Sequence, residues 1–148
     1  RTATAKLQAQ RIIVLVDACR SGALIDTLSA GLDRRQLKEV SRNSGIHLLA
    51  ATQRNQDAIE FDQLGHGAFT YILMAALDGK SEAQQHGVVM ARSMIAYVER
   101  RLPGFMREQL EKLLASQSRG AQLDSFTIPL PVAMSRGSDF AVARAGRK

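Results

Sequence analysis

Apolar residues fall into two short unbroken runs early in the chain and into periodic stretches later, and this contrast sets the expected elements. Ile12-Ile13-Val14-Leu15-Val16 is one run, closed by Asp17; Ile46-His47-Leu48-Leu49-Ala50-Ala51-Thr52 is the other. Short continuous runs of this kind predict strands covered on both faces, as in a parallel sheet. Residues 1–10, rich in Ala and Gln and free of Gly and Pro, read as the last turns of a helix. Between the runs, Gly22 marks a turn and residues 33–41 suggest a short polar helix that Asn43-Ser44-Gly45 ends.

After the second run, residues 53–67 are polar and glycine-punctuated, a loop of functional length. From 68 to 77 the stripe Ala68, Tyr71, Ile72, Ala75 repeats at i, i+3, i+4, i+7 and predicts an amphipathic helix. A second stripe, Met90, Met94, Tyr97, Val98, predicts a helix over 88–101 that stops at Pro103-Gly104, with another helix over 106–115. Two prolines within 127–132 place any strand there at an edge, and Phe140-Ala141-Val142-Ala143 suggests a closing strand. Alternating helices and strands, without internal repeat or linker, predict one α/β layered domain over residues 1–148.

Composition adds limits. With 148 residues and 45% hydrophobic positions, the chain is long and apolar enough for one core. A single cysteine forms no intrachain disulfide, and no apolar stretch approaches the roughly 20 residues of a membrane span, so a cytoplasmic location is expected. The N-terminus lacks both a secretory apolar segment and an initiator methionine, so the gene product is expected to begin upstream. Net charge is +6, and Arg136, Arg144, Arg147 and Lys148 suggest a basic tail over part of 139–148. A basic tail suits phosphates, but two tyrosines, no tryptophan and no interleaving of basic and aromatic residues argue against nucleic acid as a partner, and no membrane partner is expected.

The chemistry concentrates in Asp17-Ala18-Cys19-Arg20-Ser21-Gly22. A cysteine is often only a small buried hydrophobe. Cys19, however, follows directly on a strand and lies among Asp17, Arg20 and Ser21, which places it at the carboxyl edge of the sheet, where open α/β sheets bind ligands. No glycine-rich phosphate loop is present to favour a nucleotide site instead.

This hexapeptide resembles the nucleophile segment of the caspase-like cysteine peptidases, in particular their metacaspase and bacterial branch. The animal signature Gln-Ala-Cys-x-Gly shares Ala18-Cys19-Arg20 but has glutamine in place of Asp17 and lacks the inserted Ser21. Leu48-Leu49-Ala50-Ala51, Gln56-Asp57-Ala58-Ile59-Glu60 and Gly65-His66-Gly67-Ala68-Phe69-Thr70-Tyr71 resemble the family in order and spacing, so the likeness covers residues 11–78. It implies a three-layer sandwich around a mostly parallel sheet, to which this chain supplies the later strands and helices. Cys19 is then the nucleophile and its own N–H an oxyanion donor.

The resemblance also places the catalytic histidine about 50 residues before the cysteine, where this chain has only residues 1–18. His47 sits within an apolar strand and reads as a core or edge residue, His66 follows the cysteine and opens a helix, and His86 lies in a polar stretch. The chain is therefore expected to be the carboxyl-terminal part of a peptidase domain, its histidine supplied by an amino-terminal fragment of the same protease. The rival is a noncatalytic pseudoprotease that uses the same fold as a regulatory or scaffold module.

Specificity follows from the same likeness. Asp17 takes the place of a glutamine lining the substrate pocket, Ala58 falls on the substrate-binding strand, and Glu60 falls near the arginine with which animal caspases read aspartate. Acids in those places pair with a cation and reject an anion, implying protein substrates cut after Arg or Lys. The alternative for each acid is a solvated or helix-capping role, which weighs more for Glu60 than for Asp17. The dibasic pair Arg34-Arg35 is either a self-cleavage site or a solubilising surface. No cofactor is expected. Asp26 resembles a calcium-site position of some metacaspases; calcium takes roughly six to eight oxygens, so such a site would need its other acidic residues from elsewhere in the protein, and calcium stays open as a ligand.

Overall fold

The computed structural model describes residues 10–17, 45–51, 67–79, 82–116, 128 and 130–144. In chain order these form strands β1 (Arg11–Asp17) and β2 (Gly45–Ala51), helix α1 (Ala68–Leu77), strands β3 (Gln84–Gln85) and β4 (Val88–Met90), helix α2 (Ala91–Ser116), and strands β5 (Val132–Gly137) and β6 (Ala141–Arg144). The architecture is mixed α/β, with two small open sheets and two helices among the described residues. The expected helices over 1–10 and 33–41 and the loop over 53–66 fall outside the described residues, apart from Gln10.

Both apolar runs are strands. β1 and β2 pair in parallel from Arg11↔Gly45 to Asp17↔Ala51, and β5 lies antiparallel on the other side of β2. β2 is thus the middle strand, and His47, Leu48, Leu49 and Ala50 are all buried. Alternation sends Leu49 into the helical core while Leu48 and Ala50 are buried on the opposite face. The expectation of burial on both faces fails for β1, whose run is only half-buried and whose Leu15 is 39% exposed. Among the described residues β1 pairs with β2 alone.

The core lies between β2 and the two helices. α1 buries Ala68, Phe69, Ile72, Leu73 and Ala76, a face rotated from the expected one: Tyr71 is 42% exposed and Ala75 half-buried. All of α1's large residues are apolar, so periodicity alone does not fix its inner face. Tyr71 instead stacks on Phe105 of α2, with ring centroids 5.1 Å apart.

α2 differs more from expectation. It begins at Ala91, because residues 88–90 are strand β4, and it runs through Pro103-Gly104 without a break. Proline removes one backbone hydrogen bond and costs about 3 kcal/mol in a helix interior. The stripe Met94, Val98, Leu102, Met106, Leu110 keeps its spacing of four across the proline, and every member is buried. Burying Met106 and Leu110 at about 1.5–3 kcal/mol each offsets the proline.

The second sheet is antiparallel, in the order β3-β4-β6. Its hairpin turns on His86 (φ 51) and Gly87 (φ 77), two left-handed residues as a type I′ turn requires. Residues expected as a basic tail are in part built into the fold: Arg136 belongs to β5 and Arg144 to β6. Between those strands, Asp139 Oδ1 accepts the Arg92 and Phe140 backbone N–H groups at 3.1 and 3.0 Å, capping α2 from outside the helix. Arg92 also donates to the Gly137 carbonyl at 2.5 Å. Gly45 packs under this corner, and a Cβ there would run into the Ser138 carbonyl oxygen.

Candidate active site

β1 carries the chain to one edge of the sheet and ends on the exposed carboxylate of Asp17. Its register partner is Ala51, the last residue of β2. Because the two strands are parallel, both deliver their carboxyl ends to the same edge, and the chain leaves that edge twice, into residues 18–44 and into residues 52–66. The second segment returns at Gly67, the residue that opens α1, where a Cβ would lie 3.6 Å from Asp17 Oδ2. Asp17 thus marks the meeting point of the chain leading to Cys19 and both ends of the segment that carries Ala58 and Glu60.

The carboxylate is held from α1. Thr70, in the first turn, donates its hydroxyl to Asp17 Oδ2. α1 has no side-chain cap at Gly67 and no acidic residue in its first turn. Asp17 brings negative charge to that end from another strand, where the helix macrodipole favours it. Of the roles the sequence allows for Asp17, contact with a helix end is directly visible here. Cys19, Ala58 and Glu60 lie outside the described residues, as do Asp26, Arg34, Arg35 and His66.

The two described histidines are placed differently. His47 is fully buried near the other end of β2, its Nε2 3.3 Å from the Ser138 carbonyl oxygen and its ring tilted 53° on Phe140. Its Nδ1 has no hydrogen-bond partner. Four residues of strand separate it from Ala51, about 13 Å at 3.3 Å per residue, so it does not reach the Asp17 edge. His86 is exposed at the hairpin tip.

No known protein family, curated protein or solved structure matches the chain. Among the described residues no three His, Cys, Asp or Glu side chains form a group able to hold a metal, and no helix is long and apolar enough to cross a membrane.

Thr70 is the residue at this edge that sequence reasoning left without a role. Its signal was local: the third residue of a helix opened by a glycine has a polar side chain at an end with no cap of its own.

Proposed function

We propose that this chain is the nucleophile-bearing part of a caspase-like cysteine endopeptidase that cuts protein substrates after Arg or Lys. The observation that carries the proposal is the convergence at Asp17 of the start of the Cys19 segment and both ends of the Ala58–Glu60 segment. Two residues of chain span at most about 7 Å, so covalent geometry alone keeps the Cys19 and Asp17 Cα atoms within that distance. A nucleophile and an acid that pairs with a basic side chain belong together on this scale.

In the proposed reaction Cys19 Sγ gives its proton to a histidine and attacks the carbonyl carbon of the basic residue itself. The carbonyl oxygen becomes an oxyanion held by backbone N–H groups, Cys19's own among them. The C–N bond breaks as the histidine returns the proton to the leaving amine. Water then attacks the thioester, releasing the carboxylate product and restoring the thiol. Asp17 takes the substrate's guanidinium or ammonium, and Glu60 adds a second negative charge to the pocket.

The described fold is compatible with the layered sandwich of that family. α1 and α2 pack together on the Leu49 face of a sheet that has a parallel pair and an antiparallel outer strand. A further strand along β1, from the segment proposed to bring the histidine, would pair the edge of β1 and add cross-strand neighbours to its half-buried apolar run.

The test is cleavage-site mapping on a denatured protein library, with this chain alone and with its upstream segment present. Cuts after Arg and Lys are expected only when both parts are present, and Cys19→Ala abolishes them. Full activity of the 148 residues alone, or activity surviving Cys19→Ala, contradicts the proposal.

A further inference from the structure

We infer that Thr70 is a positioning residue for substrate selection, orienting the Asp17 carboxylate that receives the basic side chain; this rests on the proposed reading of Asp17. An aspartate at the exposed end of a strand has two free side-chain torsions and, alone, turns in solvent. A guanidinium fork binds well only to a carboxylate whose plane is fixed. Here the Thr70 hydroxyl engages Oδ2, and among the described residues no second donor to this carboxylate is present.

The surroundings favour that arrangement. Thr70 is β-branched, so few rotamers are open to it, and the one adopted points its hydroxyl across to β1 rather than back along its own helix. Gly67 presents no side chain towards Oδ2. Ala68, Phe69, Ile72 and Leu73 bury α1 in the core, so Thr70 is mounted on a rigid element. A carboxylate has about four acceptor sites over its two oxygens, so a bond from Thr70 leaves room for a bidentate cation.

The test is equilibrium binding, by titration calorimetry, of two peptides that differ only in arginine or citrulline at the cleavage position. The protein is the intact chain with its upstream segment, carrying Cys19→Ala so that no turnover intervenes. Citrulline keeps the shape and removes the charge, so the ratio of the two affinities reports the acid. Thr70→Val, which keeps the volume and removes the donor, is expected to lower that ratio about tenfold, the scale of one charge-assisted hydrogen bond. Thr70→Ser should restore it to within about twofold, and Thr70→Ala should repeat the loss if valine is not tolerated. A purely structural role for Thr70 would lower both affinities together and leave the ratio unchanged. If Asp17→Ala removes the arginine preference while Thr70→Val keeps it, the positioning role is wrong and the pocket role of Asp17 stands. If Asp17→Ala leaves the preference intact, or the Cys19→Ala protein shows none, the reading of Asp17 fails and this inference falls with it.

Discussion

Gly104→Ala asks whether α2 is one helix or two, and the two answers differ in sign. Gly104 is exposed within the continuous helix, a Cβ built on it meets nothing within 4 Å, and its backbone is not left-handed. Alanine therefore adds no clash, loses no contact, and removes the extra freedom that glycine gives the unfolded chain. In a helix interior this exchange stabilises by about 0.8–1 kcal/mol. That is a rise of about 2–4 °C in melting temperature for a chain of this length. Urea denaturation followed by circular dichroism should show a higher midpoint at unchanged slope. If Pro103-Gly104 instead ended a helix, Gly104 would be a left-handed terminator and alanine would destabilise by about 1 kcal/mol. A lowered midpoint thus refutes the continuous α2. Gly87→Ala provides the internal contrast. Its Cβ also meets nothing within 4 Å, but its φ of +77 makes alanine destabilising by about 1 kcal/mol.

Other changes probe the packing that sets up the site. Gly45→Ala drives a Cβ into the Ser138 carbonyl and towards the Phe140 ring, and should destabilise by about 1–3 kcal/mol in the same denaturation assay. Leu110→Ala empties a fully buried position beyond the proline and should cost about 2–5 kcal/mol; a loss under about 1 kcal/mol would mean that the second half of α2 does not pack on the core. Asp139→Ala removes the remote cap of α2 and should cost about 1 kcal/mol, with faster amide exchange at Arg92 and Phe140.

What the sequence revealed, and what it did not, follows from the kind of signal each element carries. The two apolar runs were legible as strands because a short unbroken run without glycine or proline has few alternatives, and their parallel pairing places Asp17 and Ala51 side by side. The half-exposure of β1 was not legible, because coverage depends on which neighbours a strand finds. α2 was cut in two by a local rule for Pro103 that the burial of Met106 and Leu110 overrides. The β3–β4 hairpin carries its information in the two left-handed residues His86 and Gly87, and a His-Gly pair is a weaker turn signal than Asn-Gly. At the candidate site, the place of Asp17 at the carboxyl end of a strand was legible from the run that precedes it. Its contact with Thr70 was not, since it joins residues 53 positions apart and exists only once α1 has docked.

The central claim is that Cys19 is a nucleophile whose pocket selects a basic residue through Asp17. Its most direct test treats the protein, together with the amino-terminal fragment proposed to carry the histidine, with two peptidyl acyloxymethyl ketones, one with arginine and one with aspartate beside the reactive group, followed by mass-spectrometric mapping of the adduct. The account predicts a single adduct on Cys19 from the arginine reagent, sharply reduced by Asp17→Ala, and little from the aspartate reagent. Equal labelling by both reagents, or arginine labelling of Cys19 that does not change with Asp17→Ala, would contradict it.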